Sequence, residues 1–60
     1  MTNVTITVEK NEIVVRIDST ARLGPSATGK TVIVASTHGN VPVETPNGTI
    51  ILGVNAYVRK

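Results

Sequence analysis

The stretch from Gly24 to Ser36 constrains the fold most, because its two halves require different structures. The first half, GPSATGKT, matches the pattern G-x-x-x-x-G-K-[ST] of loops that cradle the phosphates of a nucleotide. The second half, residues 31–36, is the most continuously apolar and β-branched run in the chain, and such residues favour strands over helices. A nucleotide-binding loop must open into the N-terminus of a helix. We therefore predict that residues 31–36 form a strand and that the chain binds no nucleotide.

The choice of apolar residues extends the β prediction to the whole chain. Valine and isoleucine dominate, phenylalanine and tryptophan are absent, and Tyr57 is the single aromatic residue among 60. The absence of cysteine excludes disulfides and thiolate metal ligands. One histidine, His38, and four scattered acids provide no metal-ligand spacing, so we predict neither a metal site nor a cofactor.

Alternation of apolar and polar residues predicts a β-hairpin over residues 2–18, with its turn at Lys10-Asn11. The implied cross-strand pairs are Val8 with Ile13, Ile6 with Val15, and Val4 with Ile17. A slip of one residue would place apolar side chains opposite polar ones throughout, so the register is well specified. Residues 19–30 lack periodicity, and we predict a long loop there.

Three further strands are predicted at residues 31–36, 41–45 and 49–59. Asn47-Gly48 is a strong hairpin signal. A turn centred on it implies two cross-strand pairs, Val43 with Leu52 and Val41 with Val54. Pro42 has no N–H to donate, which places its strand at an edge. Gly53 is the expected bend in the long last strand.

Together these elements predict an all-β chain that forms a single domain, residues 1–60. Its five strands would form one small, strongly curved antiparallel sheet, either barrel-like or a two-layer sandwich. A chain of this size rarely buries enough apolar surface to be stable alone unless a disulfide, a metal or a partner subunit supports it. Because the sequence offers neither a disulfide nor a metal site, we expect self-association to complete the sheet.

The sequence favours a non-catalytic β-module that forms a homo-oligomer, a dimer or higher, or docks on another macromolecule through apolar strand faces. Residues 31–36 carry apolar side chains on both faces, as expected for a central strand or for one that another subunit covers. The predicted interface residues are Val32, Ile33, Val34, Val54, Tyr57 and Val58.

Nucleic-acid binding is the alternative interpretation. The net charge is +2, from six Lys and Arg residues against four acids. Basic side chains beside the loop from Gly24 to Thr31 would form a modest track for a phosphate backbone. The candidate contacts are Arg16, Arg22, Lys30, Tyr57, Arg59 and Lys60. Proteins that bind single strands stack bases on several aromatic rings, whereas this chain offers one.

We predict that the chain is not an enzyme. His38 lies near Ser36 and Thr37 in the sequence, but nucleophilic catalysis also requires an oriented acid, here Asp18 or Glu44, and a pocket. No apolar run approaches the length of a membrane span, and the first residues lack the pattern of a signal peptide. A cytoplasmic location without membrane contact is therefore expected.

Overall fold

A computed structural model describes residues 1–59, which form six short strands and no helix. The strands are β1 (Thr5–Glu9), β2 (Glu12–Arg16), β3 (Thr31–Ser36), β4 (Val41–Thr45), β5 (Gly48–Leu52) and β6 (Asn55–Arg59). They pair as three two-stranded antiparallel sheets, β1 with β2, β3 with β6, and β4 with β5. The all-β prediction is confirmed. The single five-stranded sheet is not, and these strands do not close into a barrel within residues 1–59.

The first hairpin turns at Lys10-Asn11, and its register pairs Ile6 with Val15 and Val8 with Ile13, as predicted. The proposed pair of Val4 and Ile17 lies beyond the ladder, which ends at Thr5 and Arg16. Side-chain hydrogen bonds close the base of the hairpin instead. The Asn3 amide nitrogen donates to the Asp18 carbonyl oxygen at 2.9 Å, and the Asp18 N–H donates to Asn3 Oδ1 at 3.3 Å.

Strand β3 contains a β-bulge at Val34. Ile33 lies opposite Tyr57, but the next pair joins Ala35 with Ala56, so Val34 has no direct partner on β6. The extra residue breaks the predicted alternation of faces and lets two consecutive side chains enter the core. Val34 is 6% exposed and Ala35 is 0% exposed.

The other edge of β3 is also occupied. Thr2 and Ser36 exchange two main-chain hydrogen bonds of 2.8 and 3.1 Å. Further along the edge, the N–H of Leu23 donates to the Ile33 carbonyl oxygen, and the Ile33 N–H donates to the carbonyl oxygen of Gly24. Main-chain groups thus bond β3 along both edges, although its one strand partner within residues 1–59 is β6. Two residues of the predicted loop 19–30, Leu23 and Gly24, supply part of this contact.

The second hairpin turns at Pro46-Asn47, one residue earlier than predicted. Proline fixes the backbone angle that suits the first central position of a turn, and Gly48 leaves the turn with φ of 112°, which favours glycine. The observed register pairs Val43 with Ile50 and Val41 with Leu52, so the predicted pairs were displaced by two residues.

The predicted last strand, residues 49–59, is divided at Gly53-Val54 into β5 and β6, which pair with different strands. The two pairs, β3 with β6 and β4 with β5, thus follow one another as a single long two-stranded ribbon. One arm of the ribbon is β3 followed by β4, the other is β5 followed by β6, and the ribbon is kinked at residues 37–40 and 53–54. At the kink, hydrogen bonds from the buried Thr37 hold the two arms together. Its hydroxyl accepts the Val54 N–H at 3.0 Å, and its own N–H donates to the Val54 carbonyl oxygen.

The core of this arrangement is thin. In the described part of the chain, Val34, Ala35 and Val43 are the buried apolar residues. The molecule measures 39 × 20 × 14 Å, with a radius of gyration of 13.0 Å. A compact chain of this length would have a radius of gyration of about 10 Å. The fold therefore leaves much of its apolar surface uncovered.

Candidate interaction surfaces

The stretch Gly24 to Thr31 forms a tight turn against β3. The Ser26 N–H donates to the Thr31 carbonyl oxygen, and the N–H of Gly29 donates to the carbonyl oxygen of Ser26, each at 2.9 Å. β3 begins directly after Lys30, so the predicted strand is confirmed and no helix begins at the end of the motif. Two of the main-chain N–H groups of the loop, those of Ser26 and Gly29, are thus already bonded within the turn, and the Lys30 side chain is exposed.

His38 ties the N-terminal residues to the ribbon. Its Nε2 lies 2.8 Å from Thr2 Oγ1, and its main-chain N–H donates to Ser36 Oγ at 3.0 Å. The imidazole therefore meets Thr2 and not the Ser36 hydroxyl. Within residues 1–59 no three of the histidine and acidic side chains lie close enough together to hold a metal ion.

Asp18, one of the two acids considered for catalysis, stabilises a turn. The Thr20 hydroxyl donates to its carboxylate at 2.6 Å, and the Thr20 N–H donates to the same oxygen at 2.9 Å. These two hydrogen bonds hold the pKa of Asp18 below its ordinary value, because they stabilise the ionised form. The other acid, Glu44, accepts a hydrogen bond from the Thr49 hydroxyl at 2.7 Å.

An open groove of about 320 Å³ lies at the kink of the ribbon. It is lined by Ser36, Thr37, Gly39, Asn40, Gly53, Val54 and Asn55. None of these side chains titrates near neutral pH, so the lining supplies no general acid or base.

The structure brings together three of the six residues predicted to contact nucleic acid. Arg59 lies opposite Thr31, next to Lys30, and Tyr57 lies two residues before Arg59 on the same face of β6. Tyr57 is 54% exposed. These three residues form the basic end of the ribbon. Arg59 and Tyr57 share one face of β6, and Lys30 directly precedes β3 at the same end.

The other predicted contacts lie elsewhere or are already engaged. Arg22 donates from Nη1 to the carbonyl oxygens of Ser19, at 2.9 Å, and Ala21, at 2.7 Å. Arg16 belongs to β2, where it lies opposite Thr5. Lys60 lies outside the described residues.

Acidic residues gather at the opposite end of the ribbon. The tips of the two hairpins are joined by a hydrogen bond of 3.0 Å from the Asn47 amide to Asn11 Oδ1. Glu9 and Glu12 face each other across the first tip, and Glu44 lies near the second. The net charge of the chain is only +2, but its charged residues are unevenly distributed, so that the ribbon has an acidic end and a basic end.

The residues predicted to form an apolar interface are divided between the core and the surface. Val34 is buried within its own chain. Val32, Ile33, Val54 and Val58 are half-buried, and Tyr57 is exposed. Of this set only Tyr57 is exposed, and its cross-strand partner is the half-buried Ile33.

Sequence reasoning missed the most exposed apolar strand. In β5, Ile50 is 43% exposed and Ile51 is 63% exposed. The signal was present in the sequence, because Ile50-Ile51-Leu52 is a run of three apolar residues that departs from alternation. The exposure of this run follows from the structure, in which β5 is a strand separate from β6.

No family model, curated protein or solved structure matches this chain. Residues 1–59 contain no helix long and apolar enough to cross a membrane. The function is accordingly inferred from the surfaces of the chain itself.

Proposed function

We propose that this chain is a small non-catalytic β-module that associates with itself as a dimer or a higher oligomer. The supporting observation is its excess of accessible surface. The chain exposes 4355 Å², whereas a compact monomer of 6.3 kDa would expose about 3,700 Å². The excess, about 600 Å² per chain, is similar to the roughly 800 Å² that each partner contributes to a standard interface.

The exposed apolar side chains support the same proposal. The large apolar side chains exposed by more than a third are Met1, Val8, Val15, Ile17, Leu23, Ile50, Ile51 and Tyr57. Val8, Val15 and Ile17 belong to the apolar cross-strand pairs that alternation predicts for the first hairpin. Covering such side chains is favourable by about 25 cal/mol for each Å² removed from water. Another macromolecule with an apolar surface would serve the same purpose as a second copy.

The non-catalytic part of the proposal is supported by the placement of the titratable groups. The groove at the kink is lined by groups that do not titrate, His38 contacts Thr2, and Asp18 is bonded to Thr20. The proposed location is the cytoplasm. Its reducing conditions prevent disulfides, and a chain without cysteine does not depend on them.

We expect sedimentation equilibrium at micromolar concentration to give a mass of at least two chains. The thermal unfolding midpoint should rise with protein concentration, because an oligomer that dissociates on unfolding is stabilised by mass action. A stable monomer whose midpoint does not depend on concentration would remove the proposal.

Nucleic-acid binding is a second candidate, favoured by the placement of Lys30, Arg59 and Tyr57 at the basic end. We expect the double variant Lys30→Ala, Arg59→Ala to weaken oligonucleotide binding and to lower the slope of log affinity against log salt by about 1–2, since each lost phosphate contact removes roughly one released counterion. Lys10→Ala, at the acidic end, is the matched control and should leave both quantities unchanged. Equal binding by the double variant and the wild type would reject this candidate.

A further inference from the structure

The outer edge of β5 carries no residue that would block its pairing with another strand. β5 pairs with β4 on one side, and no other strand of residues 1–59 lies on its other side. An exposed edge invites pairing with another chain, and proteins block it with charged residues or proline. The other outer strands carry such residues: Glu9 in β1, Glu12 and Arg16 in β2, Pro42 and Glu44 in β4, and Arg59 in β6. The sequence of β5, GTIIL, contains neither a charge nor a proline.

The two exposed isoleucines of β5 indicate what kind of partner this edge fits. Ile50 and Ile51 are consecutive, so their side chains lie on opposite faces of the strand. A partner that packed on one face would cover only one of them. A strand laid along the edge contacts both, and its main chain bonds the N–H and C=O groups that β4 leaves unpaired.

We propose that this edge binds the β5 strand of a second copy of the chain, in antiparallel orientation, to give a four-stranded sheet in which the two β5 strands are central. This inference rests on the proposed self-association and specifies where it occurs. Pairing all five residues of β5 with all five of the partner places Ile50 beside the partner's Ile50 and Ile51 beside the partner's Thr49. On one face the two Ile50 side chains are then directly opposite, and on the other face each Ile51 is a diagonal neighbour of the partner's Ile51. No like charges are brought together, because β5 has none.

Cysteine crosslinking tests both the edge and the register, because the chain has no cysteine of its own. In the proposed sheet the Cα atoms of the two copies of residue 50 lie about 4.5–5.5 Å apart, within the range that a disulfide bridges. We expect Ile50→Cys to form a disulfide-linked dimer under mild oxidation. Ile51→Cys is the matched control, since its two copies would lie about 8 Å apart, too far for a disulfide.

A second measurement does not depend on oxidation. Ile51→Lys places a charge on the edge at a side chain that is already 63% exposed, and we expect it to raise the dimer dissociation constant at least tenfold. Thr7→Lys places the same charge at an exposed position of β1 and should leave association unchanged. Circular dichroism would confirm that both variants keep the wild-type strand content.

The outcomes separate this inference from the proposed function. A wild-type chain that is monomeric refutes both. An oligomeric wild type in which Ile50→Cys does not crosslink and Ile51→Lys associates normally overturns the β5 interface alone. Crosslinking through Ile51→Cys in place of Ile50→Cys overturns the register.

Discussion

Replacing Asn3 by alanine is expected to lower the free energy of unfolding by about 2–4 kcal/mol. The Asn3 side chain makes three hydrogen bonds: it donates to the carbonyl oxygens of Asp18 and Val34, each at 2.9 Å, and accepts the Asp18 N–H at 3.3 Å. Each is worth about 1 kcal/mol. Asn3 also has φ of 57°, a left-handed conformation that costs alanine roughly 1 kcal/mol more than asparagine or glycine. Urea unfolding followed by far-ultraviolet circular dichroism measures the loss.

Asn3→Gly separates the two contributions. Glycine keeps the left-handed backbone but makes none of the side-chain bonds. We expect Asn3→Gly to be more stable than Asn3→Ala by about 1 kcal/mol and still less stable than the wild type. If Asn3→Ala unfolds within about 0.5 kcal/mol of the wild type, Asn3 does not connect the first hairpin to β3 as the structure indicates.

The role of Asn3 was not predictable from the sequence. Asn3 reads there as one more polar residue on the outer side of an alternating strand. Its partners are main-chain groups of Asp18 and Val34. Every residue carries such groups, so no residue type at those positions marks the contact.

The two hairpins show what alternation determines. In the first, a slip of one residue would oppose apolar and polar side chains, and the predicted register is confirmed. In the second, a shift of two residues keeps every side chain on its face, so Val43 opposite Leu52 and Val43 opposite Ile50 satisfy the pattern equally. The deciding signal was Pro46, which fits the first central position of the turn.

The alternation of apolar and polar residues predicts which side chains share a face of a strand, but it does not predict which strands pair with each other. The half-buried and exposed residues of β6 alternate as expected, yet the pairing of β6 with β3 across a kinked ribbon depends on contacts between residues far apart in the chain. The separation of charge follows from the same pairing, since Lys30 and Arg59 lie at the same end of the ribbon only when Thr31 is opposite Arg59. Neither the basic end nor the free edge of β5 was visible before the strands were paired.

Replacing Val34 by alanine is expected to lower the free energy of unfolding by about 2–3 kcal/mol without weakening association. Val34 was predicted to lie at an interface, but it is 6% exposed within its own chain, at the bulge of β3. The substitution removes two buried methyl-sized groups, at about 0.8 kcal/mol each, and leaves a cavity that adds to the cost. A chain of 60 residues has a total stability of about 3–9 kcal/mol. The loss is therefore a large part of what holds the fold together, and urea unfolding at several protein concentrations should show the same decrease at each.

Val15→Ala is the matched control, because it makes the same truncation at a side chain that is 37% exposed in β2. We expect its loss to be less than about half of that at Val34, since the removed atoms were already partly in water. Sedimentation equilibrium of both variants completes the test. If Val34→Ala leaves the unfolding of the chain unchanged but weakens self-association, Val34 packs against a second copy, as its sequence pattern first suggested, and the core described for β3 is wrong.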